Sequence, residues 1–163
     1  MQTEARRIVL VDDDDSARRT TELLLMASGF DVVACACDGS EAIAVLQRFV
    51  PDLVVTDLQM PHLDGLDLLA HIRSTAEFAH LPVLVFTATD KSSWGAFDHT
   101  RLTTFLQKPA SMHELQQAVD ALLDTPQDFH LPARRPAFRM PAGGTGPRSA
   151  QFDPQLAGGY PVP

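Results

Sequence analysis

One short segment indicates the kind of fold: residues 52–57, Asp52-Leu53-Val54-Val55-Thr56-Asp57, in which four aliphatic or β-branched residues lie between two carboxylates. A continuous apolar run of this length is typical of a strand that is covered on both faces of a parallel sheet. A strand is therefore predicted over Asp52 to Thr56, with Asp57 at its carboxyl end. Similar runs elsewhere in the chain extend this prediction to a whole domain.

Four other runs have a comparable composition: Arg7 to Val11, Asp31 to Ala36, Pro82 to Phe86 and Thr104 to Gln107. The segments between the runs have the apolar spacing of helices. Strands that alternate with helices favour a parallel sheet with right-handed crossovers. The expected fold class is α/β, a doubly wound (βα)5 domain with a five-stranded parallel sheet.

Two of the predicted helices begin with capping boxes, Asp38-x-x-Glu41 and Ser111-x-x-Glu114. In a capping box two side chains bond the free N–H groups of the first helical turn. The final helix is the clearest prediction, because its apolar residues form one stripe that can pack on the sheet. The stripe consists of Leu115, Ala118, Val119 and Leu122.

After Asp124 the composition changes, since residues 125–163 hold eight of the twelve prolines and five of the nine glycines. A folded domain is predicted over residues 1–124, followed by a Pro/Gly-rich, disordered tail over residues 125–163. The tail contains a basic piece, Pro132 to Arg139. Docking of this piece on an acidic partner or on its own domain is the alternative to simple disorder.

The predicted domain is strongly acidic, with 19 Asp/Glu against 9 Lys/Arg in residues 1–124. Such a surface repels a phosphate backbone, which argues against direct nucleic-acid binding and favours cations and basic partner surfaces. No apolar stretch approaches the roughly 18 residues that span a bilayer, and the N-terminus lacks the pattern of a signal peptide. A cytoplasmic location without membrane contact is expected. Cys35 and Cys37 are interpreted as reduced core residues.

Polar side chains follow four of the predicted strands. Asp12 and Asp13 come after the first strand, Asp57 after the third, Thr87 after the fourth and Lys108 after the fifth. The carboxyl ends of parallel strands share one edge of a sheet, so these five side chains are expected to converge. Three adjacent carboxylates repel one another unless a cation intervenes, and hard oxygen ligands suit Mg²⁺. Lys108 and the Thr87 hydroxyl would then bind phosphoryl oxygens, and one carboxylate would attack phosphorus.

Four motifs in this order resemble the receiver domains of bacterial two-component response regulators. Each motif is weak alone, but four on the expected elements form a specific signal. The resemblance implies the flavodoxin-like strand order 2-1-3-4-5 and a stand-alone regulator similar to single-domain chemotaxis proteins. The motifs are Val11-Asp12-Asp13-Asp14; Asp57 with Met60-Pro61 and Asp64-Gly65; Val85-Phe86-Thr87-Ala88; and Phe105-Leu106-Gln107-Lys108-Pro109.

The resemblance implies that Asp57 accepts a phosphoryl group from a sensor histidine kinase or a histidine phosphotransfer protein. Mg²⁺ would be held by Asp13, Asp57 and the Gln59 backbone carbonyl, with Asp12 acting mainly through a metal-bound water. Only Mg-dependent self-phosphorylation and autodephosphorylation are expected, and no enzyme activity on other substrates. The other implied roles are phosphoryl contacts by Thr87, Lys108 and the Ala88 N–H, and an aromatic switch at Phe105. Gln59 and Thr89 occupy the family's lifetime-setting positions, but neither is a strong base, so no phosphoryl lifetime is inferred from them.

The resemblance also implies an output, a change of shape that a downstream protein reads. The expected surface consists of the fourth predicted helix, the fifth strand and the final helix. Two departures from the family pattern fall here. Arg101 and Leu102 occupy positions where many members have Gly-Ala, and the helix predicted at Ser92 to Phe97 contains Gly95 and few strong helix formers. The sequence does not identify the partner or decide whether two copies form a homodimer.

Two other functions fit parts of the pattern. Asp12-x-Asp14 after a strand also resembles phosphatases and phosphotransferases of the haloacid-dehalogenase type, in which Asp12 would be the nucleophile. This alternative leaves the motif that begins at Asp57 unexplained and lacks an acidic motif soon after Lys108. The other alternative is a structural adaptor that no longer takes phosphate. Its usual mark, loss of an acidic residue or of the lysine, is absent from this sequence.

Overall fold

The structure is a computed structural model and describes residues 5–90 and 102–124. From β1 to β4 each strand is followed by a helix before the next strand, as predicted, and the segment between β4 and β5 lies outside the described residues. The strands are β1 (Arg7–Val11), β2 (Asp31–Ala36), β3 (Leu53–Thr56), β4 (Val83–Thr87) and β5 (Thr103–Gln107). The helices are α1 (Asp15–Ala27), α2 (Gly39–Leu46), α3 (Gly65–Ser74) and α4 (Met112–Leu123).

The five strands form one parallel sheet in the order β2-β1-β3-β4-β5. This order confirms the predicted α/β fold and its flavodoxin-like topology. The bounds of β1 and β2 match the predicted ones; β3 begins one residue later, β4 is displaced by one residue toward its carboxyl end, and β5 begins one residue earlier. The strand order reverses between β1 and β3, and in doubly wound sheets ligands bind in the crevice at such a point.

Two apolar layers cover the sheet, one on each face. Successive residues of a strand point to opposite faces, so Val9 and Val11 pack with α2 and α3 while Ile8 and Leu10 pack with α1 and α4. Every residue of β3 and β4 is buried. Coverage on both faces explains why these strands read as continuous apolar runs. In α4, Leu115, Val119 and Leu122 are buried and Ala118 is partly buried, which confirms the predicted stripe.

The two predicted capping boxes differ in the structure. At α4 the box is complete, because Ser111 Oγ accepts from the Glu114 N–H at 3.2 Å and the Glu114 carboxylate accepts from the Ser111 N–H at 2.8 Å. At α2, Asp38 Oδ1 accepts from the Glu41 N–H at 2.8 Å. The Glu41 carboxylate, however, accepts from the Cys37 N–H at 2.8 Å. The prediction of a complete box at Asp38 is wrong, because the glutamate reaches one residue further back.

The two cysteines occupy different environments. Cys35 lies in β2 and is partly buried against one apolar layer, and burial raises the pKa of its thiol to about 11. Cys37 follows the end of β2 and is exposed. The interpretation of Cys37 as a core residue is therefore wrong, because the strand ends before it. Both cysteines are free thiols, as expected.

Three parts of the sequence-based interpretation lie outside the described residues: the helix at Ser92 to Phe97, the residue at position 101, and the tail over 125–163. The domain boundary at residue 124 therefore stays a prediction. None of the helices in the described ranges has both the length and the apolar character that a bilayer-spanning helix needs.

An arginine of α3 organises the entry into β5. Arg73 Nη2 donates to the Leu102 carbonyl at 2.9 Å and to Thr103 Oγ1 at 2.8 Å. Its Nη1 donates to the Leu81 carbonyl at 2.8 Å and to the Ala79 carbonyl at 3.3 Å, both in the segment before β4. Burial lowers the pKa of the guanidinium. The planar group nevertheless donates four hydrogen bonds, each to an oxygen.

The bonds from Arg73 hold the backbone at Leu102, a position where many receiver domains have alanine after glycine. The Leu102 carbonyl also accepts from the Val83 N–H at 2.9 Å, so it has two donors. Thr103 is 4% exposed, and its hydroxyl bonds the guanidinium in the interior. A side chain from α3 thus holds the residues that lead into β5.

We expect Arg73→Met to lower the free energy of unfolding by about 2–4 kcal/mol, because several buried oxygens lose a charged donor at once. Thr103→Val, which removes one of the four bonds, should lower it by about 1 kcal/mol. Arg73→Lys keeps the charge but not the fork and should lie between wild type and Arg73→Met. Urea unfolding followed by circular dichroism measures all three variants. Equal midpoints for Arg73→Met and wild type would show that the guanidinium contributes nothing to stability.

Candidate functional site

The polar residues at the strand ends lie at the carboxyl edge of the sheet. Asp12 follows β1, Asp57 follows β3, Thr87 ends β4 and Lys108 follows β5. The strand hydrogen bonding continues into these residues, since the Asp57 N–H donates to the Val11 carbonyl at 2.9 Å and the Lys108 N–H donates to the Thr87 carbonyl at 2.8 Å. The register of the sheet therefore fixes the backbone of each of these residues.

Lys108 lies between two carboxylates. Its Nζ donates to Asp12 Oδ2 at 2.6 Å and to Asp57 Oδ2 at 2.7 Å. The side chains are largely enclosed, with 17% of Lys108, 4% of Asp12 and 13% of Asp57 exposed. Two neighbouring carboxylates repel each other, and the ammonium group that bonds both offsets this repulsion.

The surroundings of Lys108 act on its pKa in opposite directions. Burial lowers the pKa, but the hydrogen bonds and negative charges of Asp12 and Asp57 raise it by more, so that it ends above its ordinary value. The Nζ also lies 5.4 Å from the centre of the Phe86 ring, within range of a cation–π interaction. Lys108 is consequently a charged ammonium group at neutral pH.

The two oxygens of Asp57 have different partners. Oδ1 accepts from the Leu58 N–H at 2.5 Å and from the Gln59 N–H at 3.2 Å, while Oδ2 accepts from Lys108. The Thr56 hydroxyl donates to the Asp57 carbonyl at 2.9 Å. The backbone and the side chain of Asp57 are therefore both held in a defined orientation at the carboxyl edge of the sheet.

Asp12 is tied to the start of α1. Its Oδ1 accepts from the Asp14 N–H at 2.9 Å, and its backbone carbonyl accepts from Arg18 Nη1 at 2.8 Å. Asp14 caps the helix, since its side chain accepts from the Ala17 N–H. Asp13, between these two anchored residues, is exposed. The four-aspartate run thus divides into one buried acid beside Lys108, one exposed acid, a helix cap and, at Asp15, the first residue of α1.

Two glycines allow the segment after Asp57 to pack closely. A Cβ at Gly65 would lie 2.0 Å from the Asp57 carbonyl oxygen, and a Cβ at Gly39 would lie 2.1 Å from the Leu63 side chain. The Gly65 N–H donates to the Leu58 carbonyl at 2.9 Å and the Gly39 N–H donates to the Leu63 carbonyl at 3.0 Å. The segment that contains Gln59 is therefore held at both ends.

The remaining predicted residues lie near β4 and β5. Thr87 is 1% exposed, and Ala88 directly after it is exposed. Phe105 is half-buried, lies beside Val85 in the sheet and packs against one apolar layer. This position is compatible with an ordinary core aromatic as well as with a switch, so the predicted switch at Phe105 stays a prediction.

Of the three carboxylates predicted to converge, Asp12 and Asp57 share the Lys108 ammonium group, and Asp13 lies next to Asp12 in the chain and is exposed. In residues 5–90 and 102–124, no three His, Cys, Asp or Glu side chains are grouped closely enough to hold a metal ion. Even so, the donor set fits Mg²⁺. Oxygens of Asp12 and Asp57 already share one cation, the Lys108 ammonium, and Mg²⁺ needs few protein ligands because it keeps several waters.

Sequence reasoning missed two contributors to the site. Arg18 was not singled out, although an arginine in the first turn of a helix that follows a strand can reach back to the strand end. Phe86 was quoted only as part of a motif, and its position beside Lys108 depends on the pairing of β4 with β5. The sequence did offer one indication of Arg18, a polar residue at helical spacing from Asp14. It offered no indication of the contact between Phe86 and Lys108.

Comparison with known proteins gives a consistent answer. Residues 8–120 match the response regulator receiver domain family. Chemotaxis protein CheY-3 of Vibrio cholerae is 44% identical over 85 residues, which cover 52% of this chain and 65% of that protein. A protein-glutamate methylesterase/protein-glutamine glutaminase of Trichodesmium erythraeum is 35% identical over 118 residues, which cover 70% of this chain. The chain spans only 33% of the length of that relative.

A solved structure supports the same assignment. A putative response regulator from Chloroflexus aurantiacus superimposes with a TM-score of 0.68 and 30% sequence identity, over 74% of this chain and 98% of that one. On its sequence motifs, its topology and this match, the chain belongs to the response regulator receiver domain family of two-component signalling.

Proposed function

We propose that this domain accepts a phosphoryl group on Asp57 from a histidine kinase or a histidine phosphotransfer protein. The observation that supports this most strongly is the Lys108 ammonium shared by Asp12 and Asp57. It brings one cation and two carboxylates together at the sheet edge where the strand order reverses between β1 and β3. Asp57 is the more accessible of the two acids, at 13% against 4% side-chain exposure, which suits the nucleophile.

The step is an in-line displacement at phosphorus. An Asp57 carboxylate oxygen forms the new O–P bond, the N–P bond to the donor imidazole breaks, and the released imidazole takes a proton from water. The raised pKa of Lys108 keeps it cationic near neutral pH, so it can neutralise charge on a peripheral phosphoryl oxygen. The backbone N–H groups of Leu58 and Gln59 hold the attacking carboxylate in one orientation.

Asp13, Asp57 and the Gln59 carbonyl would hold Mg²⁺, with Asp12 acting through a bound water. When bound, the ion neutralises charge on the phosphoryl group and its nucleophile. The Gly39 and Gly65 contacts fix the segment that carries the Gln59 carbonyl. Asp12 would keep its neighbour Asp13 in place through the hydrogen bond to Asp14 and the bond from Arg18.

The response to phosphorylation would begin at Thr87 and Ala88, which border the site at the end of β4. The Thr87 hydroxyl and the Ala88 N–H would bind phosphoryl oxygens, and Phe105 would turn inward beside them. A downstream protein would read the altered surface around β5 and α4. We place the domain in a signalling chain of proteins, with Mg-dependent self-phosphorylation and autodephosphorylation as its only chemistry.

Incubation with Mg²⁺ and acetyl phosphate should add one phosphoryl group to the wild-type chain, as measured by intact-mass spectrometry. Asp57→Asn should remain unmodified, because an amide is a poor nucleophile toward phosphorus. Chelation of Mg²⁺ should abolish labelling of the wild type. Peptide mapping after borohydride reduction of the acyl phosphate identifies the residue.

The same experiment tests the alternative in which Asp12 is the nucleophile. Labelling of Asp57→Asn at the wild-type level, with the reduced residue at position 12, would replace this proposal by the haloacid-dehalogenase type. An unmodified wild type in the presence of Mg²⁺ and donor would instead support the adaptor.

A second prediction concerns Lys108, which competes with a metal ion for oxygens of Asp12 and Asp57. Lys108→Met should bind Mg²⁺ more tightly than wild type, by on the order of tenfold, because a positive charge next to the ion is removed. The variant should nevertheless be phosphorylated more slowly, because a phosphoryl oxygen loses its ammonium partner. Thermal unfolding across a Mg²⁺ titration measures the first effect and acetyl phosphate kinetics the second. Weaker Mg²⁺ binding by Lys108→Met would contradict the competition.

A further inference from the structure

Two hydrogen bonds join the Thr87 hydroxyl to Thr89. The hydroxyl donates to Thr89 Oγ1 at 3.1 Å, and it accepts from the Thr89 N–H at 3.2 Å. Both partners belong to one residue that lies two positions along the chain, just beyond the end of β4. Thr87 is 1% exposed, so water does not readily replace these partners.

The backbone of Thr87 is fixed more firmly than its side chain. Thr87 pairs with Gln107 in the ladder between β4 and β5, and its carbonyl accepts from the Lys108 N–H at 2.8 Å. A change at this residue must therefore come mainly from rotation about χ1 among its staggered positions. A threonine side chain in a strand has two heavy branches and few allowed rotamers, so one hydrogen bond can decide which rotamer dominates.

We propose that Thr89 is a positioning residue that holds Thr87 in its resting rotamer and so opposes phosphorylation. This inference rests on the proposed function, because it assumes that the Thr87 hydroxyl binds the phosphoryl group. The hydroxyl has a single proton, and while it donates to Thr89 Oγ1 it cannot donate to a phosphoryl oxygen. The family resemblance links residue 89 to the lifetime of the phosphorylated form, whereas the bond described here belongs to the unphosphorylated protein.

Thr89→Val keeps the shape of the side chain and removes the acceptor. The Thr89 N–H bond to Thr87 remains, so the loss is partial and the equilibrium should shift by about fivefold toward the released rotamer. Thr89→Ser keeps the hydroxyl and should restore the wild-type behaviour. The pair separates the effect of the hydrogen bond from the effect of altering residue 89 as such.

The first experiment observes Thr87 directly in the unphosphorylated full chain. Three-bond NMR couplings from Thr87 Cγ2 to the backbone nitrogen and carbonyl carbon report the χ1 rotamer. Wild type and Thr89→Ser should show one dominant rotamer, and Thr89→Val should show averaged couplings. Identical couplings in all three proteins would overturn the proposal. This measurement does not depend on phosphorylation, so it decides the matter even if Asp57 accepts nothing.

The second experiment measures the consequence, with acetyl phosphate and saturating Mg²⁺. Thr89→Val should be phosphorylated up to about fivefold faster than wild type, and Thr89→Ser at the wild-type rate. In a Thr87→Ala background, Thr89→Val should have no further effect, because the residue acts through Thr87. An equal acceleration with and without Thr87 would show that residue 89 acts on the phosphoryl group directly, and the proposal would be wrong. Failure of wild type to react at all would instead overturn the proposed function.

Discussion

Two acidic side chains held side by side at the edge of a parallel sheet are the constraint on which this structure depends. The strand order places the ends of β1 and β3 next to each other, so Asp12 and Asp57 lie close together. Their repulsion is offset by Lys108, which comes from the far edge of the sheet. The ammonium group therefore links the site to β5, the strand on which the output surface is expected.

The fold could be predicted because its strands are covered on both faces. Val54 and Val55 point to opposite layers and are both buried, so the sequence of β3 had to be apolar at consecutive positions. The same reasoning located the carboxyl ends of the strands and hence Asp12, Asp57, Thr87 and Lys108. Local signals such as the Ser111 capping box were equally dependable, since both partners lie within one helical turn.

Contacts that depend on side-chain reach could not be predicted in the same way. The sequence indicates that Lys108 lies near carboxylates, but its bonding to both at once follows from the positions of three strands. Glu41 shows that this limit on prediction also applies at short range. Its flexible side chain accepts a hydrogen bond from the Cys37 N–H and not from the Asp38 N–H of the predicted box. At the site, the different burial of Asp12 and Asp13 could likewise not be predicted. The two are neighbours in sequence, yet Asp12 is buried and Asp13 is exposed.

Arg73 has a consequence for any effort to re-engineer the chain. The stretch between α3 and β4 resembles the kind of surface connection at which new termini or inserted domains are usually tolerated. Here the carbonyls of Ala79 and Leu81 are acceptors for the half-buried guanidinium of Arg73, which also holds Leu102. Opening the chain at this connection would detach two of the oxygens that surround the cation. Circular permutants and reporter insertions should therefore avoid residues 79–81.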